Sequence, residues 1–195
     1  MMYLVTGGSA SGKSVYAENQ AAALAESSKG TLIYIATMKP WGTEGQERVK
    51  KHQKQRQGKG FLTIERYREL SGLALESGKD GKKPVVLLEC ISNLTANELF
   101  EGGGADREVL SRITEGIRCL QKQTEHLIIV TNEVFSDGND YPEETRRYLG
   151  LLGQVNQWLA EQADQVTEVV FGIPVPVKAK GEEMGRKEGA VDGAE

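Results

Sequence analysis

A glycine-rich segment close to the start of the chain constrains its fold more than any other feature. Residues 7–14 read Gly-Gly-Ser-Ala-Ser-Gly-Lys-Ser, which is the G-x-x-x-x-G-K-S/T phosphate loop. The apolar run 2–6 precedes it and the helix-forming run 15–26 follows it. The loop is therefore predicted to connect a strand to the N-terminus of a helix. This arrangement predicts an α/β protein that binds a nucleotide.

The residue types in the loop each suit a task in phosphate binding. The glycines let consecutive backbone N–H groups close around phosphate oxygens, because no Cβ blocks the required dihedral angles. Lys13 is expected to reach the β- and γ-phosphates, and Ser14 to offer its hydroxyl to Mg²⁺. The predicted phosphate-loop contacts are Gly7, Gly8, Ser9, Ala10, Ser11, Gly12, Lys13 and Ser14.

Apolar, β-branched runs alternate with helical patterns, which is typical of a mostly parallel, twisted sheet with helices on both faces. The predicted strands are 3–6, 31–37, 61–65, 85–90, 126–131 and 166–172. The predicted helices are 13–27, 44–57, 66–76, 106–123 and 142–162. A chain of 195 residues suits one catalytic domain, expected over 1–180, and the charged, glycine-rich segment 181–195 is expected to be disordered.

Composition excludes several classes of protein. A net charge of −4 does not favour nucleic-acid binding. The two cysteines, Cys90 and Cys119, lack the spacing of metal ligands and are expected to be reduced, buried packing residues. No apolar run is long enough to span a bilayer, and the N-terminus does not resemble a signal peptide. The protein is therefore expected to be cytoplasmic.

A second phosphate-site element is predicted where two apolar strands end. Residues 85–89 form an apolar run that ends in Glu89, and the carboxyl end of a parallel strand neighbouring the loop is a suitable place for an acid that holds hydrated Mg²⁺ with Ser14. The alternative is that the strand simply ends at a polar residue. The run 127–131 ends in Asn132 and Glu133, which are expected to face the same crevice and to contact the nucleotide.

A histidine occupies a basic stripe in the predicted helix 44–57. Arg48, His52 and Arg56 follow at i, i+4 spacing and share one face. An imidazole between two guanidiniums has its protonated form disfavoured, which leaves a ring nitrogen free to attack phosphorus. The two arginines could hold phosphate oxygens as charge develops. The alternative is an exposed histidine without a function on a solvated surface helix.

These motifs together resemble a known family, the bifunctional adenosylcobinamide kinase / adenosylcobinamide-phosphate guanylyltransferases of cobalamin biosynthesis. The resemblance covers roughly residues 2–178. The matching segments, in the family's order, are Leu4-Val5-Thr6-Gly7-Gly8 with Ser11-Gly12-Lys13-Ser14, Tyr34-Ile35-Ala36-Thr37, Arg48-x-x-x-His52-x-x-x-Arg56, Leu87-Leu88-Glu89-Cys90, Val130-Thr131-Asn132-Glu133-Val134, Val155-Asn156-Gln157 and Gly172-Ile173-Pro174-Val175. The phosphate loop is common to many families, whereas the histidine and glutamate segments are far more specific.

The resemblance implies two reactions on a RecA-like P-loop NTPase fold. First, ATP or GTP phosphorylates the hydroxyl on the aminopropanol arm of adenosylcobinamide. Second, GTP transfers GMP to His52, and adenosylcobinamide phosphate takes the GMP to give adenosylcobinamide-GDP. A covalent relay of this kind splits one difficult exchange between two anions into two displacements. The resemblance also implies Mg²⁺, catalytic roles for Lys13 and Glu89, and a homotrimer.

The chain departs from the family pattern at three places. Ala10 stands where the family often has arginine in its phosphate loop, and residues 135–142 replace a glycine-containing turn. Residues 148–153 lack the arginine and aspartate of an F-R-D-x-x-G run. Two alternatives therefore stay open, a guanylyltransferase with weak or lost kinase activity and a non-catalytic P-loop module that binds nucleotide.

Overall fold

The computed structural model describes residues 1–40, 42–78, 80–133 and 141–179, with the side chains of Glu44 and Arg48 outside the description. Within these ranges the strands are β1 (Met2–Thr6), β2 (Leu32–Ala36), β3 (Leu62–Glu65), β4 (Val85–Glu89), β5 (His126–Val130), β6 (Gln165–Val170) and β7 (Ile173–Lys178). The α-helices are α1 (Lys13–Ser28), α2 (Gly42–Arg56), α3 (Ile91–Phe100), α4 (Asp106–Gln123) and α5 (Glu143–Gln162).

All the strands belong to one sheet, in the order β3-β2-β4-β5-β1-β6-β7. Every neighbouring pair is parallel except β6 and β7, which are antiparallel. The predicted α/β architecture, a mostly parallel sheet with helices on both faces, is confirmed. One detail differs from the prediction, because β5 lies between β1 and β4, so the strand that ends in Glu89 is not the direct neighbour of the strand that leads into the phosphate loop.

The sheet is buried on both faces, which explains why its central strands read as continuous apolar runs. In β1, Leu4 packs in the core on the side of α3, α4 and α5, whereas Val5 packs on the side of α1. Ala17 and Ala21 line the inner side of α1, and both are fully buried. Small side chains let the backbone of α1 approach the sheet closely, and this fixes the start of the helix at the sheet's carboxyl edge.

The predicted helix over 66–76 is wrong, because this segment contains only a 3₁₀ turn at Leu70–Gly72. Glu69 has a left-handed φ of 53°, and its N–H donates to the Glu98 carboxylate of α3 at 2.6 Å. Leu70 is buried against α4, and a Cβ added at Gly116 would lie 2.8 Å from the Leu70 Cβ. Tertiary contacts at these residues override a helix propensity that is weak in itself.

The sequence prediction omitted α3, although its apolar spacing carries the signal. Ile91, Leu94 and Leu99 are all buried, at intervals that place them on one side of a helix. No side chain caps the start of α3 at Cys90. The sequence therefore lacks the usual N-cap residue that would indicate the start of this helix.

The sequence prediction also omitted β7, for which the reason is chemical. Pro174 and Pro176 lack backbone N–H groups and argue against a strand in a sequence. β7 lies at the edge of the sheet, where one side of the strand needs no hydrogen-bonding partner, so both prolines are tolerated.

Several compositional predictions can be compared with the described residues. No helix among them is apolar and long enough to cross a bilayer. Cys90 and Cys119 are both free, and Cys90 is buried as expected, whereas Cys119 is only half-buried. The predicted disordered tail, 181–195, and residues 135–140 of the segment 135–142 that departs from the family pattern lie outside the described residues.

Candidate active site

The phosphate loop joins the end of β1 to the first turn of α1 through two unusual glycine conformations. Gly7 has a φ of 151° and Gly12 a φ of 93°, both in a region that side chains with a Cβ rarely adopt. The loop is anchored from outside, since the N–H of Gly172 donates to the carbonyl of Ser11 at 2.8 Å and that of Glu133 to the carbonyl of Gly7 at 3.2 Å. The turn between β6 and β7 and the residues after β5 thus hold the loop in place.

Replacing Gly7 by alanine is expected to disrupt this loop. The added Cβ would lie 2.5 Å from the backbone oxygen of Val169 and 2.7 Å from the Ser11 Oγ, so the loop must shift. We expect the free energy of unfolding to fall by about 1–3 kcal/mol and nucleotide binding to weaken. Urea denaturation and titration with a fluorescent GTP analogue measure the two effects. Gly8→Ala is the control for stability, because its Cβ would have no neighbour within 4 Å; equal stability losses would contradict the prediction.

Lys13 folds back over the phosphate loop. Its Nζ donates to the carbonyl of Gly8 at 3.0 Å, and only 8% of the residue is exposed. Burial lowers the pKa of the Lys13 ammonium, and the charge of the Glu89 carboxylate acts in the opposite direction. A partly desolvated ammonium interacts strongly with a phosphate that replaces the carbonyl as its partner.

Glu89 ends β4 and collects hydrogen bonds from two elements. The hydroxyl of Ser14, in α1, donates to its Oε1 at 2.5 Å, and the hydroxyl of Tyr34, in β2, donates to its Oε2 at 3.0 Å. Burial and the charge of Glu89 raise the pKa of Tyr34, so the phenol keeps its proton and remains a donor. The predicted metal ligands Ser14 and Glu89 are thus brought together.

Helix α2 places His52 next to this carboxylate. The Nδ1 of His52 lies 4.0 Å from the Oε1 of Glu89. Of the two guanidiniums predicted to flank His52, only that of Arg56 can be compared with the structure, because the Arg48 side chain is outside the described part. Arg56 is buried, and its guanidinium stacks over the ring of Tyr34 at 3.5 Å. The described surroundings of the imidazole are therefore more acidic than the sequence suggested.

The residues that follow β5 lie on another side of the candidate site. The amide of Asn132 donates to the Ser92 hydroxyl at 2.6 Å, and that hydroxyl lies 3.0 Å from the Cys90 sulfur. Burial raises the pKa of Cys90, which keeps it as a thiol. Glu133 contributes its backbone N–H to the phosphate loop.

One cavity of about 600 Å³ connects these groups. Of the predicted site residues, its lining includes Ser9, Ala10, Ser11, Gly12, Lys13, Ser14, His52, Arg56, Glu89 and Asn132. Met38, Pro40, Val49 and Tyr67 add a less polar end. The volume lies within the range of small-molecule sites.

Sequence reasoning missed two residues of the site, Tyr34 and Glu18. Tyr34 lies in β2, directly beside β4, so strand order decides its contact with Glu89. The ligand atom of Glu18 lies within 4.8 Å of those of His52 and Glu89. Glu18 follows Ser14 by one helical turn, and this i, i+4 spacing was a signal in the sequence.

Comparison with known proteins identifies the family. A sequence model described as cobinamide kinase / cobinamide phosphate guanyltransferase matches residues 3–177. The bifunctional adenosylcobalamin biosynthesis protein CobU of Escherichia coli is 33% identical over 189 residues, covering 91% of this chain and 100% of that protein. The bifunctional adenosylcobalamin biosynthesis protein CobP of Pseudomonas aeruginosa is 29% identical, covering 92% of this chain and 99% of that protein.

Two solved structures have lower similarity. Flagellar accessory protein FlaH from Methanocaldococcus jannaschii matches with a TM-score of 0.46 and 13% identity, covering 92% of this chain and 78% of that chain. The ATPase domain of G40P matches with a TM-score of 0.48 and 8% identity, covering 93% of this chain and 78% of that chain.

The resemblance that the motifs predicted is confirmed by the family match: the chain belongs to the cobinamide kinase / cobinamide phosphate guanyltransferase family.

Proposed function

We propose that the two activities of this enzyme, cobinamide kinase and cobinamide phosphate guanylyltransferase, use the one cavity that joins the phosphate loop to His52. The observation that carries the proposal is the continuous set of contacts from the Ser14 hydroxyl through Glu89 to the His52 ring. Nucleotide phosphates held by the loop and the imidazole of α2 would face the same space. One nucleotide site can then present either its γ- or its α-phosphorus for attack.

In the kinase step, the loop and Lys13 hold a nucleoside triphosphate, ATP or GTP. The Ser14 hydroxyl and the Glu89 carboxylate form an oxygen donor set of the kind that Mg²⁺ prefers, and they are the residues that would hold this ion. Bound Mg²⁺ would neutralise charge on the transferring phosphoryl group. The hydroxyl of adenosylcobinamide attacks the γ-phosphorus and forms a new O–P bond, while the bond from this phosphorus to the β–γ bridging oxygen breaks. The hydroxyl proton is released to solvent, and the nucleoside diphosphate leaves.

In the transferase step, His52 attacks the α-phosphorus of GTP through Nε2. The N–P bond forms, the bond to the bridging oxygen of the β-phosphate breaks, and pyrophosphate leaves. Glu89, 4.0 Å from Nδ1, is placed to take the proton that the imidazole must lose. An oxygen of adenosylcobinamide phosphate then attacks the same phosphorus, which releases His52 and gives adenosylcobinamide-GDP.

A labelling experiment tests this route. The enzyme is incubated with α-³²P-GTP and Mg²⁺, denatured, and counted after treatment with alkali or with acid. We expect a label on the protein that survives alkali and is lost in acid, which is the behaviour of a phosphoramidate. A protein that transfers GMP to cobinamide phosphate without ever carrying the label would contradict the covalent step. In parallel, γ-³²P-ATP and γ-³²P-GTP identify the phosphoryl donor; failure of both to label adenosylcobinamide would favour the alternative without kinase activity.

We also propose that the chain assembles as a homotrimer through the outer edge strand. Alternate residues from Phe171 to Val177 are apolar and exposed, with exposed fractions of 93% at Phe171, 65% at Ile173, 42% at Val175 and 60% at Val177. Within β7, the alternate side chains of Ile173, Val175 and Val177 share one face of the strand, and Phe171 lies in the turn before it. Exposed apolar side chains that are grouped together favour contact with another chain, and three copies would cover these faces in a closed ring.

The charged substitution Ile173→Asp is expected to convert the trimer into monomers, because it places a charge in the apolar contact. Light scattering coupled to size-exclusion chromatography measures the mass. Leu62→Asp is the control, since Leu62 is 60% exposed on β3 at the opposite edge of the sheet. A monomeric wild type, or a trimer that survives Ile173→Asp, would refute the assignment.

A further inference from the structure

Three side chains from different elements converge beside the phosphate loop. Glu18 of α1, His52 of α2 and Glu89 of β4 each offer one ligand atom, and these atoms all lie within 4.8 Å of one another. Glu18 is fully buried and Glu89 is 8% exposed. Two carboxylates that are this close and this buried repel each other unless a cation compensates their charge.

Only some of the polar atoms in this cluster of Glu18, His52 and Glu89 have a hydrogen-bond partner in the protein. Lys59 donates to the Oε2 of Glu18 at 2.8 Å, and Ser14 and Tyr34 bond Glu89. Within the described residues, the Oε1 of Glu18 and the Nδ1 of His52 are buried and have no hydrogen-bond partner. A fully buried carboxylate oxygen without a partner is costly, so these two atoms point to a missing ligand.

We propose that Glu18, His52 and Glu89 bind a divalent transition-metal ion, such as Mn²⁺, when no nucleotide is present. Two carboxylate oxygens with one imidazole nitrogen suit Mn²⁺ or Zn²⁺, whereas Mg²⁺ takes oxygen ligands almost exclusively. The site therefore differs from the Mg²⁺ proposed beside the nucleotide, which uses Ser14 and no nitrogen. The ion connects α2 to α1 and β4, and so holds His52 over the phosphate loop.

Electron paramagnetic resonance on the full chain with Mn²⁺ alone tests this site. The loss of the free-ion signal gives the affinity, and spin-echo modulation detects a ¹⁴N nucleus bound to the ion. We expect nitrogen modulation in the wild type and its loss in His52→Ala. Glu18→Gln is expected to weaken binding by about tenfold or more, whereas Glu26→Gln, an exposed position on the same helix, leaves the affinity unchanged.

Wild-type enzyme that binds Mn²⁺ without nitrogen modulation would overturn the proposal, as would a folded Glu18→Gln variant with wild-type affinity. If Glu18→Gln does not fold, the nitrogen signal of the wild type and its loss in His52→Ala still decide the matter. The result is independent of the covalent step. If Mn²⁺ shows nitrogen coupling but the protein never carries ³²P, the metal site stands and the guanylylated histidine is rejected. If the protein carries ³²P but Mn²⁺ shows no nitrogen coupling, the guanylylated histidine stands and the metal site is rejected.

Discussion

Lys13→Ala is expected to lower kcat for both the kinase and the guanylyltransferase by about 10²–10³-fold, as the loss of one transition-state charge contact does elsewhere. Both reactions place growing negative charge on phosphate oxygens above the loop. The Lys13 ammonium is buried and donates to the carbonyl of Gly8, so a bound phosphate replaces a neutral acceptor by a charged one. Alanine leaves this space to water, which screens the charge and does not position the phosphate.

Steady-state rates of cobinamide phosphorylation and of GMP transfer measure the effect, together with thermal unfolding to verify the fold. Lys122→Ala is the matched control, because Lys122 is exposed in the last turn of α4, beside the start of β5. A Lys13→Ala variant that loses one activity and keeps the other would show that the two nucleotides do not share the loop, and would reject the proposed single site.

His52→Ala is expected to separate the two activities. Guanylyl transfer should fall by about 10⁴-fold or more, as it does when an enzyme loses its nucleophile, because no other group in the route forms the bond to the α-phosphorus. The kinase should stay within a few-fold of the wild type, since the hydroxyl of cobinamide attacks the γ-phosphorus without the imidazole. The alanine substitution leaves Ser14 and Glu89 in contact with each other.

Alkali-stable ³²P on the protein and the two steady-state rates measure this separation. His126→Gln is the control at the only other histidine of the chain; His126 lies at the start of β5 and contacts Tyr3. Free imidazole added to His52→Ala provides a second test, because a small nucleophile that fits the vacated space should restore part of the transfer. Equal loss of both activities in His52→Ala would contradict the division of labour.

Local patterns in the sequence predicted most of the elements that build the site. The phosphate loop, the strands that end in Glu89 and Asn132, and the helix that carries His52 all depend on residues close together in the chain. The structure confirms these strands and helices, with small changes at their ends. Their predicted roles in binding and catalysis remain proposals that the experiments above test.

The predictions that were wrong or incomplete concern features that depend on contacts between residues far apart in the chain. The structure has a 3₁₀ turn where a helix was predicted over 66–76, because the backbone N–H of Glu69 donates to the Glu98 carboxylate and Leu70 packs on α4. The local sequence reveals neither contact. β7 was missed because its prolines are tolerated only at the edge of a sheet, and strand order is a property of the whole fold. The expected partners of His52 were likewise chosen from its own helix.

The sequence by itself therefore determined the nucleotide chemistry of this protein and its family, because a phosphate loop works through backbone conformation that a short run of glycines, lysine and serine specifies. Only the tertiary structure decided what surrounds His52. Glu18, Glu89 and Tyr34 come from separate elements, and the packing of α1 on the sheet and the position of β4 beside β2 bring them together. Side-chain electrostatics depend on distance in space, so a pattern along one helix could not reveal the carboxylates next to the imidazole.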